Sequence, residues 1–267
     1  MPSIDLKSIS SLPMGLDLQK NKLVLGEGLK CEDPRARTLE EMKDVLLDPS
    51  ARGPPELYFM YRDLHLKEDE SLFRANGLRF DATVIISGLV GREYVKTAGH
   101  YHPMIPGLGV SYPEIYEVIY GGAVYLLQKI RTLADPRRVD DLVAIEALPG
   151  DKVIIPPNYG HVTINPYKTP LVMTNVTADN FKSIYDPYRS LRGAASYMVS
   201  DDGRPTWISN PNYINPPEVR QIRARELREF GLPRSRPLYR ALVEDPEAFE
   251  FLKKPVHHVG ALNATVH

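Results

Sequence analysis

The chain has one cysteine, almost no net charge and no long apolar run, and each shortage excludes a class of protein. Cys31 alone cannot form an intramolecular bridge, so the fold has to rest on a buried core and not on a disulfide framework. No N-terminal stretch joins a basic start, an apolar run and a small-residue cleavage site, which makes a reducing cytoplasm the expected location. Runs such as Ala82–Val90 and Lys152–Pro157 are strand-sized, far below the roughly 20 apolar residues that cross a bilayer. With 33 Lys and Arg against 34 Asp and Glu, the formal charge is −1, too little to hold a nucleic acid or an anionic membrane. A small molecule or a protein is the expected partner. Repeats and low-complexity tracts are also missing.

The 267 residues suffice for one sizeable β domain with appendages or for two small domains. The 24 prolines cluster at the ends of apolar runs, where they stop strands and stiffen loops. Thr38 is a candidate N-cap three residues before Glu41, and Met42, Val45 and Leu46 follow on one helical face until Pro49, which predicts one short helix. Leu23–Leu25 has the composition of an edge strand. From Glu56 to Val176, β-branched and aromatic runs alternate with turn residues. Strands are expected at Leu57–Tyr61, Arg79–Ser87, Glu93–Thr97, Ile115–Gln128, Lys152–Ile155, His161–Ile164 and Leu171–Val176. Ser196–Ser209 reads as a hairpin turning at Asp201-Asp202-Gly203. After Pro217 the spacing turns helical, over Glu218–Phe230 and again over Glu247–Lys254. The expected organisation is an all-β sandwich or barrel over residues 1–213, with a helical C-terminal extension over 214–267.

The chemistry concentrates in Thr97-Ala-Gly-His-Tyr-His102, in Glu114 and in Pro156-Pro-Asn-Tyr-Gly-His161. If residues 97–102 are extended, His100 and His102 share a face and Tyr101 takes the other. A barrel can bring these imidazoles together with Glu114 and His161 at one interior point, as a flat surface cannot. Three His and one carboxylate suit Fe²⁺, Mn²⁺, Zn²⁺ or Ni²⁺ better than Mg²⁺ or Ca²⁺, which prefer oxygen shells. Glu117, the rival carboxylate, falls on the opposite face of a regular strand. The arginines of 218–229 are nearly balanced by acids, so that segment reads as a solvated amphipathic helix.

These spacings resemble the two motifs of the cupin superfamily: Glu114 to Gly121, then Gly150 to Pro156, His161 and Asn165. The chain departs from the pattern twice. Eleven residues, Pro103–Pro113, separate the second His from the Glu, and Asn158 stands where the family has Gly. Together with Phe80-Asp-Ala-Thr83, Glu114-Ile-Tyr116 and Leu126-Leu-Gln128, the motifs are similar to those of the cupin-type glucose-6-phosphate isomerases of archaea and some bacteria. The resemblance implies a jelly-roll barrel, one divalent metal per chain, commonly Fe²⁺, held by His100, His102, Glu114 and His161, and a cytoplasmic homodimer. It implies interconversion of glucose 6-phosphate and fructose 6-phosphate. Thr83, Thr97 and Gly99 match positions that hold the sugar phosphate, and Tyr58 and Tyr185 match substrate-contacting tyrosines. The chain reads Ser183-Ile-Tyr185 where the family often has His-Asp-Tyr. Glu114 is the motif carboxylate available as a base, and Tyr116, on the same face, is a candidate proton relay. Cupins also include metal-dependent oxygenases and pure binding modules, so the fold alone does not name the reaction.

Overall fold

The computed structural model describes residues 3–267. Ten strands build the two sheets that carry the site: β1 (Arg35–Thr38), β2 (Glu56–Tyr61), β3 (Leu78–Ile85), β4 (Glu114–Tyr120), β5 (Ala123–Thr132), β6 (Asp135–Ala147), β7 (Lys152–Ile155), β8 (Tyr159–Ile164), β9 (Leu171–Ala178) and β10 (Arg220–Arg223). One sheet runs in the order β7-β4-β9-β3-β2-β1 and is antiparallel throughout. The other runs β8-β5-β6-β10, and its last pair is parallel. The chain passes between sheets at the Gly121-Gly122 turn and again at Pro156–Asn158.

The inner faces meet through large side chains: the Tyr116 ring on β4 lies 5.3 Å from that of Tyr125 on β5, whose hydroxyl reaches Met173 Sδ on β9 at 3.6 Å. This is a jelly-roll arrangement of the cupin type. No hydrogen-bonded ring of strands closes among the described residues. The open edge of β8 is instead covered by Val95–His102. Thr97 N donates to Thr163 O (2.9 Å), and His100 and His161 exchange backbone bonds of 3.2 and 3.1 Å. That irregular ribbon does what a barrel strand would do, satisfying the edge and fixing two histidines beside a third.

Every residue of β4 from Glu114 to Ile119 is buried, so both of its faces are covered. Glu114 and Tyr116 point inward. Glu117 points outward and pairs with Lys152, directly opposite on β7, at 2.9 Å with both side chains 1 % exposed. The C-terminal segment covers that pair: Leu238 N donates to Glu117 Oε2 at 2.9 Å and Lys152 Nζ donates to Pro233 O at 3.2 Å. Leu238, Leu242, Phe249 and Leu252 belong to the same contiguous core as the sheets.

The expected short helix is present at Leu39–Met42, with a full capping box between Thr38 and Glu41. The hairpin Ser196–Asp201/Arg204–Ser209 turns on Asp202 and Gly203, both at positive φ as a two-residue turn requires. Three segments differ from expectation. The 13-residue β6 is the longest strand, yet Asp135–Asp141 is charged and, apart from buried Val139, half-buried or exposed, so its first half reads as a loop. Residues 218–230 contain β10 and a 3₁₀ turn at Arg228–Phe230 in place of a helix, because the half-buried/exposed alternation over Arg220–Arg223 has period two. Beyond it, helical turns do follow, at Leu238–Glu244, Pro246–Leu252 and Val259–Asn263. A helix at Glu70–Asn76 was not anticipated; Gly77, at φ 58°, ends it. No helix among the described residues is long and apolar enough to cross a membrane.

Since Leu242 is fully buried in the shared core, Leu242→Ala should cost about 2–5 kcal/mol. Denaturant unfolding should show a single transition shifted to lower concentration. Two separated transitions would mean that the C-terminal segment folds on its own.

Candidate metal centre

Glu114 opens β4, His161 is the third residue of β8, and His100 and His102 alternate along the ribbon beside it. One donor atom from each lies within 4.8 Å of all the others. His100 Nε2 and His102 Nε2 are 3.1 Å apart, and Glu114 Oε2 is 3.3 Å from both His102 Nε2 and His161 Nε2. Glu114 Oε1 accepts a 2.7 Å bond from Asn175 Nδ2, whereas Oε2 is buried without a hydrogen-bond partner. A buried carboxylate oxygen without a partner is costly, and so are imidazole nitrogens turned toward one another. A cation at their centre satisfies all four, and three nitrogens with one oxygen is a transition-metal donor set.

The protonation states agree with this. Burial first, and then the neighbouring His161 and His102, hold His100 well below the ordinary imidazole range, and burial lowers His161 too. Both shifts favour the neutral imidazole, the form that binds metal. Burial works to raise Glu114, but His102 and His161 outweigh it and keep the carboxyl well below its usual range. Behind the cluster, His102 Nδ1 donates to Tyr112 O at 2.8 Å, which leaves Nε2 as the free donor. The Tyr116 hydroxyl lies 3.0 Å from His161 Nε2, and burial, followed by the Glu114 charge, pushes it well above the phenol range.

Thr83, Thr97, Gly99, Tyr58 and Tyr185 line the same pocket as the four donors and Tyr116, so all ten residues singled out in the sequence come together. Gly99 has to be glycine: its φ is 76°, and a Cβ there would sit 2.6 Å from Val162 Cγ2. Thr97 Oγ1 accepts from Thr163 N at 3.0 Å and keeps its proton for a ligand. Tyr58 OH accepts from Ala98 N (3.3 Å) and Arg37 Nε (3.2 Å). The Tyr185 ring lies 5.5 Å from that of His100. Tyr101 points the other way, its ring packed where a Gly160 Cβ would clash at 2.5 Å.

Sequence reading missed the cationic wall of this pocket. Arg62 and Arg79 line it, and both bind Asp81, which is fully buried: Arg62 Nη1 at 2.5 Å, Arg79 Nε at 3.0 Å, with Asp63 N adding a bond of 2.9 Å. Two guanidiniums on one carboxylate leave net positive charge facing the pocket. The signal was available, because period two along β3 from Thr83 passes through Asp81 to Arg79. Asn175, which orients Glu114, lies opposite Asp81 in the same register.

A jelly roll with a largely buried cluster of three His and one Glu defines a cupin with a candidate metal site. A family model described as glucose-6-phosphate isomerase matches residues 36–215. The chain belongs to the glucose-6-phosphate isomerase family. A glucose-6-phosphate isomerase of Thermococcus kodakarensis is 26 % identical over 206 residues, 75 % of this chain and 96 % of that protein. Another, from Thermococcus litoralis, is 28 % identical over 183 residues, 66 % of this chain and 86 % of that one. Among solved structures, an oxalate oxidase is 17 % identical with a TM-score of 0.31, covering 41 % of this chain and 46 % of that chain. The oxalate decarboxylase of Bacillus subtilis is 15 % identical with a TM-score of 0.33, covering 48 % and 27 %. Neither likeness bears on the reaction.

Replacing His161 by Ala should abolish stoichiometric metal binding, read by elemental analysis, while the circular dichroism spectrum stays native. Glu114→Gln should weaken metal retention strongly, and Glu117→Gln, on the outer face, should not. The opposite ranking would put the wrong face of β4 at the metal.

Proposed function

We propose that this enzyme interconverts glucose 6-phosphate and fructose 6-phosphate, with a divalent metal held by His100, His102, Glu114 and His161. The observation that carries the reading is the shared pocket: the four donors, the Thr97-Ala-Gly99 lead-in and Thr83 open onto one space. Fe²⁺ is the proposed ion, by resemblance to the family, with Mn²⁺, Zn²⁺ and Ni²⁺ compatible with the same donors. A cytoplasmic homodimer serving glycolysis and gluconeogenesis is the corresponding cellular setting.

In this reading the phosphate is held by the Thr83 and Thr97 hydroxyls and the Gly99 backbone N–H, donors that stabilise a dianion without a lysine. Arg79 stands four residues from Thr83 along β3, about 13 Å away. The Arg62–Asp81–Arg79 group thus lies at the end of the pocket remote from the phosphate. Tyr58 and Tyr185 contact the sugar between these ends, and Ser183 leaves space where many relatives carry an imidazole.

Bound metal supplies positive charge to the two oxygens that exchange carbonyl and hydroxyl character. The protein's own groups then divide the proton work. Glu114 is the sole carboxylate among the four donors, but the histidines hold it ionised, which makes it a weak base. Tyr116 stays protonated beside His161 and can pass a proton between the sugar oxygens. Arg62 and Arg79 stabilise negative charge that develops there. A metal-dependent oxygenase would want an apolar substrate wall, and this one carries Arg, Thr and Tyr; a binding module would show no turnover.

Metal-loaded protein should convert glucose 6-phosphate to fructose 6-phosphate in a coupled assay, lose activity to a chelator and regain it with Fe²⁺ or Mn²⁺. Turnover that survives complete metal removal would refute the metal's part. In D₂O, a cis-enediolate route carries solvent deuterium onto carbon and a direct hydride shift does not. Thr97→Val removes one hydrogen bond to a charged group, a loss of about 1.5–3 kcal/mol. KM should rise about ten- to a hundred-fold, and an unchanged KM would take Thr97 out of the phosphate site.

A further inference from the structure

The two departures from the cupin pattern, the eleven-residue Pro103–Pro113 segment and Asn158 in place of Gly, meet in space. Ser111 N donates to Asn158 Oδ1 at 3.0 Å, and Asn158 N donates to Ser111 Oγ at 2.7 Å. Asn158 sits at φ 69°, in the left-handed region, which accounts for the family's glycine at this position. Asn is among the few side chains that tolerate this conformation. Here it supplies an amide that the glycine lacks.

What the pair secures is a metal donor. The residue after Ser111 is Tyr112, whose carbonyl accepts the 2.8 Å bond from His102 Nδ1. The Tyr112 ring stacks on Phe181 at 4.6 Å and 17°, and Phe181 packs on the His102 ring at 4.6 Å. The middle of the segment, Pro106–Gly109, is exposed, whereas Ser111 is 3 % exposed. The segment is therefore anchored at its end. On the other side, Asn158 lies in the turn that starts β8, three residues before His161. One reciprocal side-chain-to-backbone pair thus ties the support of His102 to the strand of His161.

We propose that Ser111 and Asn158 are positioning residues of the metal centre, a clamp that holds the Tyr112 carbonyl where it fixes the tautomer and ring angle of His102. An anchored carbonyl raises the basicity of the donor nitrogen and removes ring freedom that metal binding would otherwise have to freeze. Loosened, the long segment would let Tyr112 drift and leave His102 free to turn. The clamp depends on the four-donor centre and not on which reaction the centre carries out.

The test compares Asn158→Gly, which keeps the left-handed backbone, with Ser111→Ala and the double variant. The Kd for Mn²⁺, from the electron paramagnetic resonance of free ion, should rise about tenfold in each single variant. Each single variant removes one of the two bonds, so the double variant, which removes both, should bind at least as weakly as the worse single one, with less than the sum of the two losses because the bonds hold one contact. Thermal melting of the metal-free proteins tracks any loss of the turn itself. In the zinc-loaded protein, long-range ¹H–¹⁵N spectra should show a solvent-protected His102 Nδ1–H in wild type and faster exchange in the variants. Unchanged Mn²⁺ affinity in both single variants would overturn the clamp, as would weaker affinity with the His102 Nδ1–H still protected. Failure of the wild type to bind any of Mn²⁺, Fe²⁺, Zn²⁺ and Ni²⁺ would instead overturn the metal centre and the clamp with it. Absence of isomerase activity with these metal effects intact would count against the proposed reaction alone.

Discussion

A carboxylate and three imidazoles whose donor atoms lie within 4.8 Å of one another, three of the four residues buried, set the terms for the rest of this protein. Burying such a set is expensive unless a cation compensates it. The surrounding structure spends many of its contacts on holding the set open and aimed: Asn175 fixes one oxygen of Glu114, Tyr112 fixes the back of His102, and the backbone pairing of His100 with His161 fixes two more donors. Of these supports Asn175 also lines the pocket, whereas Tyr112 stands outside it. They turn a costly cluster into a preorganised one.

The same requirement reaches through β4 to the outside. A strand whose first residue is a buried metal donor needs its other face covered as well, and here that face carries Glu117 paired with Lys152. An ion pair this deep has all its remaining valences to satisfy. The chain after Tyr213 does so with the Leu238 N–H and the Pro233 carbonyl, and adds apolar weight through Leu238, Leu242 and Phe249. The C-terminal segment acts on the centre indirectly, by making the back of its principal strand dry.

How legible each part was follows from the range of the forces that set it. The donors, Gly99 and the Thr97 lead-in are held by local spacing and strand parity, which a sequence displays. So are the Thr38–Glu41 capping box and the Asp202-Gly203 turn. Strand β6 was hidden because its charged half protrudes as a hairpin with β5, and burial is continuous only over Leu142–Ile145. β10 was hidden because a parallel partner 77 residues away, Val143 against Arg220, decides its conformation over the helical spacing of its arginines. The Arg62–Asp81–Arg79 group needed the pairing of β2 with β3, a tertiary fact, although the parity of β3 alone exposed half of it. Asn158 and the long Pro103–Pro113 segment stood out as two separate oddities. Only their meeting shows that each makes the other tolerable.

Charge completes the division of roles within the pocket. Glu114 and Tyr116 sit two residues apart on one strand face, and burial acts on both in the direction of the neutral form. The histidines reverse that for Glu114 because they surround its oxygen. Tyr116 meets the resulting negative charge, which reinforces burial and keeps its proton on. One face of one strand therefore presents a permanent anion for a metal and, a step along, a phenol that stays protonated. The same pocket adds two guanidiniums balanced by a single carboxylate, at the end where the oxygens of changing charge would lie in the proposed reaction. A ligand with an anionic group at one end and oxygens of changing charge at the other would find a complementary partner at each. An apolar ligand would leave those groups unpaired in a dry site, and this asymmetry, more than the metal set shared by many cupins, favours a polar anionic ligand of the kind the proposed reaction uses.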